Sequence, residues 1–204
     1  MLRRLLQLYI GLVLYGVSTA LFVHANLGAD PWDVFHLGVA KQLGISFGTV
    51  IILTGAAVLL LWIPIRQMPG LGTVSNVIVL GLAADATLAV LPPLELLVAR
   101  SALLVGAIVL NAIATGMYIG AGFGPGPRDG LMTGLHARTG WSLRGIRTAI
   151  ELSVLLIGWL LGGKFGVGTV IYALSIGPLI QLCLPWFSQP VSRNAVSPPR
   201  EIVS

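Results

Sequence analysis

The chain has 204 residues, of which 56% are hydrophobic and only 9% charged, with a mean hydropathy of +0.93. Soluble domains carry roughly 25% charged residues, so a water-soluble globule is excluded and a membrane protein is expected. The net charge of +5 is scattered over short loops with no aromatic platform among the basic residues, so nucleic acid is not an expected partner.

In chain order, the first apolar run covers residues 5–23 and follows Arg3-Arg4. Val23-His24-Ala25 resembles a cleavage site, but the run is long for a signal peptide and is read as a retained first helix. Residues 31–44 follow a Gly28-x-x-Pro31-x-Asp33 turn and predict a short helix. Apolar runs near membrane length then cover residues 49–65 and 73–91, the latter containing Asp85. The next run, 102–122, leads into a glycine-rich turn and a second short helix over 127–140. Residues 146–161, which open with Arg147 and Glu151, and residues 169–187, which hold the single cysteine Cys183, complete the set. The last residues carry Pro190, Pro198 and Pro199 without apolar period, and 192–204 are expected to form a disordered cytoplasmic tail.

Residues 1–95 and 101–191 read as one unit written twice, with position n over position n+96 and no gaps. Leu27-Gly28-x-x-Pro31-x-Asp33 falls on Phe123-Gly124-x-x-Pro127-x-Asp129, and Gly72-Thr73-Val74 on Gly168-Thr169-Val170. Gly38, Gly44, Ser46 and Gly81 fall on Gly134, Gly140, Ser142 and Gly177. The matched positions are mostly turn-forming or polar, not interchangeable aliphatics, which marks duplication and not shared composition.

Six spans with the N-terminus inside place nine basic residues on the inner side: Arg3, Arg4, Arg66, Arg128, Arg138, Arg144, Arg147, Arg193 and Arg200. The outer side then holds Lys41, Arg100 and Lys164. Three spans per unit force the second unit upside down, and Arg138, Arg144 and Arg147 replace Gln42, Gly48 and Ile51 of the first. Eight spans in parallel units would give the same charge count. However, fourteen helical residues reach only about 21 Å, short of a hydrocarbon core of about 30 Å. The expected fold is therefore an all-α integral membrane protein: about six transmembrane helices as two three-helix inverted repeats. Each repeat has an additional short broken or re-entrant helix after its Gly-x-x-Pro-x-Asp turn.

The short helices start in a telling way. Asp30, Pro31 and Asp33 stand at N-cap, N1 and N3 of the first, and Gly126, Pro127 and Asp129 at the same places in the second. With Gly28 and Gly124 these residues have a structural reading as tight turns and caps. Their functional reading is a pair of helix starts pointed into a cavity at membrane depth, bringing Asp30, Asp33, Arg128 and Asp129 together as substrate-binding residues. Asp85 and Gln181, polar at equivalent places in apolar runs, join them as binding candidates. Arg147 and Glu151, four apart on one helical face, are expected to form an ion pair. His24, His36 and His136 occupy no common metal-ligand spacing, so no metal or other cofactor is expected. Asn26, Asn76, Asn111 and Tyr118 are candidate polar lining or interhelical bonds. Small-residue spacings at Gly116/Gly120/Gly124, Gly158/Gly162 and Gly44/Gly48 suit close helix packing inside the bundle, or a homo-oligomer.

The stretch GFGPGPRDGLMTGLHARTGWSLRGIRTAIELSVLLIGWLLGG, with GVGTVIYALSIGPLIQ after it, resembles the second half of the YczE branch of the YczE/YyaS/YitT group of bacterial membrane proteins. LGADPWDVFHLG and GTVSNVIVLGLAAD are similar to its first half. The resemblance implies a multi-pass protein of the bacterial inner membrane, here with both termini cytoplasmic, and assigns no reaction or substrate. The expected function is a small-solute transporter, ion- or proton-coupled through its paired acids, with its site where the repeats meet. The alternative is a non-transporting accessory or regulatory protein whose inner loop, residues 124–147, docks a partner. A Ser/His/Asp arrangement, a His-rich metal cluster and a Gly-rich phosphate loop are all lacking, so no enzyme activity and no catalytic residue is expected. The remaining expected partners are the lipid bilayer and an unidentified small solute.

Overall fold

A computed structural model describes residues 1–188, and the expected tail at 192–204 lies outside the described residues. Those residues form eight helices: α1 (Leu2–Ala25), α2 (Pro31–Leu43), α3 (Phe47–Ile65), α4 (Leu71–Val90), α5 (Leu97–Gly120), α6 (Pro127–Thr139), α7 (Leu143–Leu160) and α8 (Val167–Phe187). Five of them, α1, α3, α4, α5 and α8, are long and apolar enough to cross a membrane. α7 has 18 residues and carries Arg144, Arg147 and Glu151 within its first half, because Ser142 caps it earlier than the apolar run begins. Large aliphatic side chains stand outward on the long helices, Leu60, Leu174 and Leu182 among them, as lipid contact requires and water would not tolerate.

α1 and α5 pack side by side and run in opposite directions. Arg4 at the start of α1 donates through Nε to the Ala121 carbonyl at 2.9 Å, just beyond the end of α5. Arg100 at the start of α5 donates through Nε to the Ala25 carbonyl at 2.7 Å, at the end of α1. Arg4 and Arg100 are 96 positions apart, as are Ala25 and Ala121, so one interaction is made twice. α4 flanks α1 and α8 flanks α5.

Each short helix leans on the other half of the chain: α2 packs chiefly on α7, and α6 chiefly on α3. Backbone approach at these crossings is close, since Gly158 of α7 lies against the main chain of Val34 and Phe35, leaving no room for a Cβ. Gly116 and Gly120 likewise face Cys183 and Phe187 of α8, so these small-residue spacings are used inside the bundle.

The hydrogen bonds at the turns also recur. Gly168 N donates to Leu27 O at 2.8 Å and Gly72 N to Phe123 O at 2.9 Å, again equivalent positions. Thr73, fully buried, donates its hydroxyl to Pro125 O at 2.7 Å and accepts from Gly70 N at 3.2 Å. Thr73→Val removes both bonds while keeping the shape, stranding a carbonyl inside the bundle. The expected loss is about 1–3 kcal/mol of stability, read as a lowered Tm in detergent.

Candidate functional site

The two turns that precede the short helices need glycine. Gly28 has φ of 120° and Gly124 of 117°, a backbone region that side-chain-bearing residues resist. Beyond each turn a proline at N1 fixes the first helical φ without forfeiting a bond the helix requires. The starts then differ. Asp30 caps α2, accepting from Asp33 N at 2.8 Å. Gly126 stands at that place in α6, which has no side-chain cap.

The two starts converge on one cavity of about 230 Å³, lined by residues of both halves. Arg128 Nη1 lies 3.8 Å from Asp30 Oδ2 across the gap between α6 and α2, and its guanidinium sits 4.8 Å above the Trp32 ring. Asp129 accepts a hydrogen bond from the Tyr118 hydroxyl at 3.1 Å. Tyr15, Thr115 and Tyr172 complete the polar wall. Behind it Asn111 donates to Ser18 Oγ at 2.9 Å and accepts from the Tyr172 hydroxyl at 3.1 Å. Among the described residues three buried polar side-chain atoms lack a hydrogen-bond partner: Trp32 Nε1, His36 Nε2 and Thr115 Oγ1. All three belong to residues lining this cavity. Buried polar groups are ordinarily paired, so an orphaned set gathered at one cavity points to a ligand.

Of the residues singled out in the sequence, Asp30, Arg128 and Asp129 line the cavity together. Asp33 is buried beside it, with His36 Nδ1 3.1 Å from its Oδ1, and serves a smaller crevice with Ser18 and Asn111. Asp85 stands elsewhere. Its Oδ1 accepts from Gly48 N at 2.6 Å and its Oδ2 from the Ser46 hydroxyl at 2.5 Å, so it holds the start of α3. Gln181 is exposed on α8, which has no packing with α7 comparable to that of α4 with α3. Arg147 Nε donates to Glu151 Oε1 at 2.9 Å, and this ion pair edges the cavity. His24 bonds the Pro92 carbonyl of the α4–α5 connection and His136 the nearby Trp141 carbonyl. Among the described residues no three His, Cys, Asp or Glu are grouped to hold a metal ion.

Polar and aromatic lining residues that escaped the sequence reading are Tyr15, Trp32, Thr54, Thr115 and Tyr172. One signal could have found three of them. Tyr15 and Asn111 are equivalent positions, as are Asn76 and Tyr172, and Trp32 and Arg128, so both copies carry a polar or aromatic group there.

Asp85→Asn should weaken the charge-assisted bonds that hold the start of α3, costing about 1–2 kcal/mol of stability. Because Asp85 does not reach the cavity, its effect is expected in Tm alone, with solute-induced stabilisation unchanged in the same thermal-shift assay.

The family described as "Family of unknown function (DUF6198)" matches residues 2–185. An uncharacterized protein of Haemophilus influenzae is 38% identical over 177 residues, 87% of this chain and 81% of its own. The uncharacterized membrane protein YczE of Bacillus subtilis is 30% identical over 179 residues, 87% of this chain and 83% of its own. YyaS of the same organism is 23% identical over 180 residues, 86% of this chain and 90% of its own. No solved structure matches. With five helices of membrane length and these relatives, the chain is a multi-pass membrane protein that belongs to the DUF6198 family, in the YczE/YyaS group.

Proposed function

We propose that the protein is a carrier for a small solute in the bacterial inner membrane, without enzymatic activity. Its six crossings form two three-helix inverted repeats, α2 and α6 being half-length helices that enter from opposite faces. The observation that carries this reading is the convergence of two short-helix starts, one from each half, on one charged cavity inside the bundle. Both short helices have 13 residues and reach about 20 Å. Broken helices ending at a midplane cavity are the architecture of substrate and ion sites in transporters built from inverted repeats. The antiparallel α1 and α5, with their matched arginine contacts, support the inversion. A lipid-facing exterior and an ionisable interior support a path for a polar solute. Trp141, exposed at the end of α6 between Arg138 and Arg144, is the feature that an accessory protein docking a partner would use.

The inversion is tested with single cysteines introduced at Leu43 and Thr139, the exposed ends of α2 and α6, in a Cys183→Ala background. A membrane-impermeant maleimide should label position 43 from the outside of intact cells and position 139 only after the membrane is opened. Labelling of both from one side overturns it.

For the solute path, Asp129→Asn keeps an oxygen for the Tyr118 hydroxyl and removes the charge, so the protein should still fold and reach the membrane. Thermal-shift screening of purified protein against amino acids, amines, organic acids, sugars and inorganic ions should find stabilisation that falls at least about tenfold in apparent affinity in this variant, the worth of one bond to a charged group. If Asp129→Asn lowers stability alone, a structural role through the Tyr118 hydroxyl suffices and the carrier reading fails.

A further inference from the structure

Resting on the carrier reading, we propose that the cavity takes a small zwitterion, an amino acid or betaine whose carboxylate and cationic nitrogen lie a few bonds apart. Charges of both signs face the cavity from different helices: Arg128 from α6, and Asp30 and Asp129 from the starts of α2 and α6. Arg147 and Glu151 also line it but are spent on each other. Arg128 and Asp30 stand 3.8 Å apart, beyond the 2.7–2.9 Å of a charge-assisted hydrogen bond, so each keeps capacity for a ligand group.

The negative end of the ligand has a defined place. Trp32 Nε1 can only donate, is buried and has no acceptor, so the ligand must bring one. The start of α6 lacks the side-chain cap that Asp30 gives α2, and its first N–H groups and positive dipole end favour a negative group beside Arg128. A carboxylate meets all three demands.

The positive end is set by the two carboxylates that flank Arg128, Asp30 at 3.8 Å across the gap and Asp129 next to it on α6. Asp30 and Asp129 exceed Arg128 by one negative charge. Tyr15 and Tyr118, edge to face at 5.9 Å, line the same cavity, and a desolvated cation is held well by an aromatic face. A simple anion would meet two carboxylates, whereas a simple amine would leave the Trp32 N–H and the α6 start unanswered. Thr115 Oγ1 and His36 Nε2, the other two orphaned groups, supply further hydrogen bonds. At about 230 Å³ the cavity suits a solute of several heavy atoms and is too small for a nucleotide or disaccharide.

The full chain in detergent is tested by thermal shift and then titration calorimetry with three matched sets: the protein amino acids with glycine betaine, the amines lacking their carboxylates, and the acids lacking their nitrogen. At least one zwitterion should stabilise the protein, with its amine and acid counterparts at least about tenfold weaker. Arg128→Gln should abolish that stabilisation. Trp32→Phe, which keeps an aromatic ring under Arg128 and removes the donor, should weaken binding of the zwitterion about tenfold, read as the shift from the variant's own Tm without solute. If an amine or an acid binds as well as its zwitterion and Arg128→Gln or Asp30→Asn removes that binding, the site stands and the zwitterion class falls. If no set stabilises the protein, the zwitterion class falls, and the carrier reading falls with it only where the wider screen with sugars and inorganic ions also finds no stabilisation.

Discussion

Irregular backbone inside an apolar bundle must find its hydrogen bonds within the protein, and that requirement governs this fold. The segments between α1 and α2 and between α5 and α6 abandon the helix to turn towards the interior. Their carbonyls are answered from across the molecule: Leu27 and Phe123 by the amides of Gly168 and Gly72, Pro125 by Thr73, Ala25 and Ala121 by Arg100 and Arg4. Each half supplies what the other lacks. Glycine at 28 and 124 is dictated by the same turns, and the pairing of α2 with α7 and α6 with α3 follows from where those turns deliver the chain.

Positions 96 apart agree in the frame and differ around the cavity. Where the turns and helix caps are needed, the copies agree: Gly28 and Gly124, Pro31 and Pro127, Ser46 and Ser142. Both serines accept from the amide three residues on, at 3.1 Å. Around the cavity the copies part. Asp30 stands opposite Gly126, Trp32 opposite Arg128, Tyr15 opposite Asn111. Two identical acidic starts would set like charges face to face. The exchange of Trp32 for Arg128 instead places a cation over a ring and beside an acid.

The helices and turns were legible in the sequence because glycine, proline and serine act locally and leave marks at fixed spacing. The convergence of Asp30, Arg128 and Asp129 was legible for the same reason, since each stands at a marked helix start. The faces of the long helices were not. In lipid the outer face is as apolar as the packed one, so no polarity stripe identifies Tyr15, Thr115 or Tyr172 as inward. Asp85 shows the opposite hazard. An acid in an apolar run reads as functional, yet the free amides at the start of α3 also need acceptors, and Asp85 answers Gly48 where Ser46 answers Thr49. Arg147 and Glu151 were legible because a spacing of four is enough to define that contact.

The crossing of α2 onto α7 and α6 onto α3 also bears on how the protein is made. Synthesis delivers α1 to α4 first, and at that moment α2 has not met the helix it leans on, while the Leu27 carbonyl awaits an amide that is still about 140 residues downstream by sequence number. Those contacts therefore form only after the second half has been made, and a truncated chain ending after α4 would leave α2 without the helix it packs on and the Leu27 carbonyl without its amide.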